Sequence, residues 1–172
     1  MQTGEKTTVQ ITDINRRGEG VGRSAGVVVF VPGAVPGERV AVRITEWRGN
    51  HARGEPLSVL TSSPHRQAPA CTLAPRCGGC SLQHVTYARQ LQWKTELVKQ
   101  SMARLGGLAG ARVREIIGMQ HPWHYRNNVQ FKVGRRSGKV ALGFFARESH
   151  RLVAGGVSGD GRLCLLAHPD IN

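Results

Sequence analysis

Four cysteines carry the chemistry that this sequence is equipped to do: Cys71, Cys77, Cys80 and Cys164. The first three form a C-x5-C-x2-C pattern, and 83 residues separate Cys80 from Cys164. Gly78 and Gly79, inside the CxxC pair, let the backbone turn tightly enough for its amides to point at the sulfurs. Pro75 stiffens the approach. Four thiolates closing around one centre would satisfy either zinc or an iron–sulfur cluster. Two disulfides would need an oxidising compartment, which nothing in the sequence suggests. A redox pair at Cys77 and Cys80 would want a βαβ setting, which the flanking residues lack. Spacing alone leaves zinc and iron–sulfur both open. In either case the distant fourth ligand would tie the cysteine loop to the C-terminal end of the sequence.

The elements that must position these cysteines differ on their two sides. Before them, the first 60 residues read as short strands with Gly and Pro punctuation. Val9 to Thr12 alternates apolar and polar, Val27 to Val31 is a continuous apolar run, Val40 to Ile44 alternates again, and Ala52 to Leu60 is a weaker candidate. Gly18 to Gly22 and Pro32 to Gly37 are turn signals. Regularly spaced short strands predict a small barrel, which closes its own edges. Ser62 to Pro69 has the composition of a linker.

After the CxxC pair the spacing predicts one helix. Thr86 is its expected N-cap, Tyr87, Leu91, Val98, Met102 and Leu105 its apolar face, and Gly106-Gly107 its end. Lys94, Lys99 and Arg104 fall on the wet side. Further on, Val129, Phe131 and Val133 form one alternating strand and Val140, Leu142 and Phe144 another, with Gly134 to Gly138 as the hairpin turn.

Charge narrows the partner. Of 172 residues, 24 are Lys or Arg and 11 are Asp or Glu, a net of +13. Residues 1–62 hold 8 basic and 6 acidic side chains, and residues 63–172 hold 16 and 5. The positive field is therefore expected beyond the barrel, where it would attract a polyanion. Arg outnumbers Lys 19 to 5, and Arg can fork two bonds to phosphate. Aromatics make up only 5%, which limits any base-stacking platform. No apolar run approaches the roughly 20 residues that span a bilayer. The polar start, Met1 to Lys6, is unlike a secretory signal. A cytoplasmic protein is expected, with neither membrane nor DNA as partner.

Several motifs together resemble one family. Cys71-x5-Cys77-Gly78-Gly79-Cys80 followed by Leu82-Gln83-His84 and Tyr87 is similar to the iron–sulfur segment of the RNA uracil-5-methyltransferases. Gly18-Glu19-Gly20-Val21-Gly22 and Val29-Phe30-Val31-Pro32-Gly33-Ala34-Val35-Pro36-Gly37-Glu38-Arg39-Val40 resemble a TRAM domain, an RNA-binding β-barrel. Tyr125-Arg126-Asn127, Leu142-Gly143-Phe144-Phe145 and Ser149-His150 look like the family's central domain. Cys164 with His168-Pro169-Asp170-Ile171-Asn172 looks like its fourth ligand and the segment next to it. The TRAM-like segment points to the branch acting on 23S ribosomal RNA.

The resemblance implies a fold that is mainly β with α+β. It divides into a TRAM/OB-like barrel over residues 1–62, a linker over 63–70, and a partial central domain with an iron–sulfur site over 71–172. Cys71, Cys77, Cys80 and Cys164 would ligate a [4Fe–4S] cluster that is structural and RNA-positioning. Arg126, Asn127, Lys132, Arg135 and Arg136 would face structured RNA, with 23S ribosomal RNA as the expected partner. Residues 154–161 read as an insertion ahead of Cys164, unlike the family pattern. The family's catalytic half binds S-adenosylmethionine and supplies a nucleophilic Cys and a proton-removing Glu. It is not in this sequence, which has no fifth cysteine. No residue here is assigned a catalytic or small-molecule-binding role. The alternative is a free-standing iron–sulfur or zinc RNA-binding module without enzymatic activity.

Overall fold

The computed structural model describes residues 1–136, 138–154 and 164–172, apart from the side chains of Arg136 and Ala154. The chain forms two compact units: Met1–Ala68 with His84–Ile116, and Pro69–Gln83 with Ile117–Asn172.

The first unit is built on five strands, β1 (Lys6–Ile14), β2 (Glu19–Ser24), β3 (Val27–Pro32), β4 (Arg39–Trp47) and β5 (His51–Thr61). They close a barrel in the order β1-β2-β3-β5-β4, and β4 pairs with β1 to seal it. Every pairing is antiparallel except β3 with β5. The alternation visible in the sequence is what fills the interior. Val9, Ile11, Val29, Val31, Val40, Val42 and Ile44 are buried together with Ala34 and Ala52. Each Val or Ile side chain so removed from water stabilises by about 1.5–3 kcal/mol.

The turn expected at Gly18 to Gly22 is instead mostly strand. Glu19–Ser24 is β2, in unbroken register with β3 and paired with β1 across a bulge between Ile11 and Asp13. The glycines are there for closeness: a Cβ on Gly20 would sit 2.8 Å from the Ala34 carbonyl oxygen. A strand that passes this near its neighbours must lack side chains, so glycine here signals tight packing as well as turning.

Residues 63–68 are held in place within this unit. Glu38, fully buried, accepts hydrogen bonds from the Val35 amide at 2.9 Å, the Ser63 amide at 3.3 Å and Arg66 Nη2 at 2.7 Å. Arg66 also donates to the Gly33 carbonyl at 2.8 Å. Burial pushes the Glu38 carboxyl up, but Arg66 and the two amides outweigh it and hold it below the usual carboxylate value. The same segment pairs with the residues that precede the helix, the Gln67 amide donating to His84 O at 2.9 Å and the Thr86 amide to His65 O at 2.9 Å.

Helix α1 spans Tyr87–Arg104 with Thr86 as N-cap, whose side chain makes no capping bond. Its buried face differs from the expected one. Trp93 is 6% exposed, while Val98 is 47% and Leu105 80% exposed. Tyr87, Leu91 and Met102 of the expected face are half-buried, as are Gln90, Leu97 and Ser101 around Trp93. Gln90 Nε2 donates to the Val85 carbonyl at 2.9 Å, and the Arg89 guanidinium lies 5.1 Å from the Trp93 ring. No described helix is long and apolar enough to cross a membrane.

The second unit contains a three-stranded sheet in the order β6-β7-β8: β6 (Lys132–Arg136), β7 (Lys139–Phe145) and β8 (Leu152–Ala154). The expected hairpin is present, but Gly134, Arg135 and Arg136 belong to β6. Val129 and Phe131 lie outside any strand. The expected apolar face is covered only in part, with Leu142 and Phe144 half-buried. Ala141 is buried on β7, whereas Val133 and Val140 are 71% and 72% exposed. The hairpin tip lies away from the small core, so its valines have nothing to pack on. That core is Leu73, Cys77, Ala146 and Val153, with Cys71 and Phe144 packed against it. The expected insertion lies, beyond Ala154, outside the described residues.

Candidate functional site

All four cysteines line one recess of the second unit, together with Leu73, Gln83, Arg126 and Phe144. Its empty space is about 440 Å³, open mouth included. Two chain segments bring the cysteines to it, the loop from Cys71 to Gln83 and the segment that begins at Cys164, while Arg126 and Phe144 come from two others.

Each cysteine is placed by a local device. The Cys77 amide donates to the Leu73 carbonyl at 2.8 Å, a single helical turn that carries the thiol into the core. The Gly78 amide donates to the Phe145 carbonyl at 2.9 Å. A Cβ at Gly78 would come within 2.7 Å of that same oxygen, so only glycine fits. The Gly79 amide then points back at Cys77 Sγ at 3.3 Å. Gln83 spans two cysteines: its Oε1 accepts from the Cys71 amide at 3.1 Å, and its Nε2 donates to Cys80 Sγ at 3.1 Å. Arg147 holds the Cys80 carbonyl at 2.8 Å.

Cys164 is fixed from downstream. Its amide donates to Asn172 Oδ1 at 3.0 Å, and Asn172 Nδ2 returns to its carbonyl at 3.0 Å. The segment after it runs parallel to residues 124–126. The Arg126 amide donates to Leu166 O at 2.8 Å and the His168 amide to Arg126 O at 2.9 Å. This pairing carries Arg126 into the wall of the recess.

The electrostatics of the recess disfavour bare thiolates. Burial pushes the Cys77 thiol up, the Gly79 amide pulls it back, and the neighbouring Cys71 and Cys164 raise it again. Burial likewise raises Cys80, against the Gln83 amide. Arg126 is the cation that acts to lower both. A metal centre would supply far more positive charge and deprotonate the ligands outright.

Four cysteine thiols on one recess are a donor set that suits either a zinc ion or an iron–sulfur cluster. Among the described residues, no three His, Cys, Asp or Glu side chains are drawn together closely enough to hold a metal ion. One tetrahedral zinc with bonds of about 2.3 Å would pull all four sulfurs to within about 3.8 Å of each other. A [4Fe–4S] core binds each thiolate through a different iron, so its ligands stand further apart.

The other expected residues are less concentrated. Asn127, Lys132 and Arg135 are exposed in the same unit, and the Lys132 ammonium lies 5.8 Å from the Phe145 ring. The Arg136 side chain lies outside the described residues. Gln83 and Asn172, which brace Cys71, Cys80 and Cys164, have no role predictable from the spacing of the cysteines alone. A Gln three residues beyond the CxxC pair is the available signal for the first.

Comparisons with known proteins place these features among relatives. Residues 1–57 match the model of the TRAM domain. An uncharacterized RNA methyltransferase of Caldanaerobacter subterraneus subsp. tengcongensis is 44% identical over 98% of this chain and 36% of its own length. One from Clostridium tetani is 42% identical over 83% and 31%, and one from Thermosynechococcus vestitus 41% over 88% and 34%. The chain spans about a third of the length of the curated relatives it matches.

Proposed function

Because the chain has an N-terminal TRAM domain and is homologous to a family of uncharacterized RNA methyltransferases, we propose that it is the RNA-holding part of an S-adenosylmethionine-dependent RNA uracil-5-methyltransferase acting on 23S ribosomal RNA. The observation that carries this reading is the match at 44% identity along 98% of the chain, against only 36% of that relative. Methyl transfer and the S-adenosylmethionine site are assigned to the part of the relatives that this chain does not cover.

In this reading Cys71, Cys77, Cys80 and Cys164 would hold a [4Fe–4S] cluster. When bound, the cluster supplies a rigid cross-link among four points of the second unit. The chain's own residues do the rest. The amides of Gly79 and Gln83 donate to sulfur, and Arg126 offsets the negative charge gathered there. Asn127, Lys132, Arg135 and Arg136 would contact phosphate and opened bases of a folded RNA. A uracil must leave its stack before carbon 5 can be reached, and protein that grips the opened loop offsets that cost. Reduced thiols suit a cytoplasmic setting.

The test uses the whole chain with a 23S ribosomal RNA transcript and labelled S-adenosylmethionine. Expected is binding that weakens steeply as salt rises, with no label transferred to RNA. Absence of binding at low salt, or methyl transfer by this chain alone, would overturn the reading.

A further inference from the structure

One side chain in the cysteine loop touches the backbone of one cysteine and the sulfur of another. Gln83 stands three residues beyond Cys80 and is half-buried. Its Oε1 accepts from the Cys71 amide at 3.1 Å, and its Nε2 donates to Cys80 Sγ at 3.1 Å. Cys77 Sγ also receives an N–H, at 3.3 Å, but from the Gly79 backbone amide. Any residue except proline carries such an amide. The donor to Cys80 is a side chain, present only because position 83 is a carboxamide.

The two contacts have different effects. The first fixes the Cys71 backbone relative to a residue 12 positions later, and so sets the span of the loop. The second places the positive end of an N–H dipole against a sulfur. It draws the Cys80 thiol down, against the burial that raises it. A bond of this kind strengthens as its acceptor becomes more negative. Hydrogen bonds to ligating sulfur are among the features that set the potential of an iron–sulfur centre. Asn172 offers a contrast, because it braces Cys164 through the backbone amide and carbonyl, each at 3.0 Å.

We propose that Gln83 is a positioning residue that raises the reduction potential of the [4Fe–4S] cluster through Cys80 Sγ while it holds the Cys71 and Cys80 ends of the loop together. This role of Gln83 rests on the iron–sulfur reading of the recess. Zinc has no redox chemistry, so on zinc the same contact would act on metal retention only.

The experiment uses the whole chain purified without oxygen, with the variants Gln83→Met, Gln83→Asn and Asn172→Leu. Met matches the length of Gln without its amide, and Asn keeps the amide on a side chain one methylene shorter. Photoreduced deazaflavin supplies one electron per cluster, and the bleaching of the cluster reads the midpoint. Both Gln83 variants should still assemble a cluster, since all four cysteines remain, and Gln83→Met should titrate at a more negative potential than the parent. Its iron should pass to a chelator about tenfold faster. Asn172→Leu should also release iron faster, yet keep the parent's midpoint. If Gln83→Met holds no cluster, Gln83→Asn takes its place in the titration with the same expected shift. A midpoint equal to the parent's, or one that moves no further than in Asn172→Leu, would overturn the proposal. So would a parent cluster that deazaflavin does not reduce, or failure of both Gln83 variants to assemble one. A parent that holds zinc without sulfide would instead bring down the iron–sulfur reading, and the role of Gln83 with it.

Discussion

At the scale of single residues, Glu38 is the most consequential side chain outside the cysteine recess. It is fully buried, and its two oxygens are met by Arg66, Val35 and Ser63. Its folded pKa lies below the ordinary 4.5 because those donors outweigh the burial that raises it. The carboxylate therefore stabilises the fold fully above pH 4.5, and that contribution is lost as pH falls through the lowered value. Thermal melts should shift downward on acidification below pH 4.5, and Glu38→Gln should flatten that dependence. An equally steep acid limb in the Gln variant would contradict the assignment. Arg66→Ala, which strands the buried charge, should cost about 3 kcal/mol at neutral pH. In the sequence Glu38 looks like part of a TRAM-like turn and Arg66 like linker. A pairing across 28 positions leaves no local signature in composition.

Elements are legible where one periodicity dominates. Alternation locates β1 and β4, and a continuous apolar run locates β3, because their apolar positions have only one place to go, the interior. It misses β2, whose glycines look the same whether a chain turns or squeezes past a neighbour. The helix ends are readable from Thr86 and Gly106-Gly107, but the face is not. Tyr87, Leu91 and Met102 of the expected face are half-buried, but the buried residue of α1 is Trp93, which lies off that face. Truncating Trp93 to Ala should thus destabilise the chain by about 3 kcal/mol, and Leu105→Ala by less than about 0.5 kcal/mol. Denaturant melts of the two variants compare them directly. A larger loss at Leu105 would restore the face expected from the sequence. The cysteine loop sits between these cases. Its ligand candidates and paired glycines are visible, while the bracing by Gln83 and Asn172 depends on contacts that spacing does not encode.

For the molecule as a whole, the charge of +13 reads differently once each unit has a structure. The excess beyond residue 62 suits a polyanion, yet the nearly balanced barrel gathers half of its basic side chains into one cleft. Net charge by segment cannot reveal this, because strand alternation sorts residues onto faces that sequence order mixes. In the proposed function, four cysteines from two distant segments would close around an iron–sulfur cluster and hold the second unit in a form that grips RNA. Its small core, which includes Cys77 itself, is what such a cross-link would complete. The most direct measurement is the iron and acid-labile sulfide content of the whole chain purified without oxygen. The account predicts about four iron and about four sulfide per chain, lost on Cys77→Ser. One zinc per chain without sulfide, or a fully folded second unit with no metal bound, would contradict it.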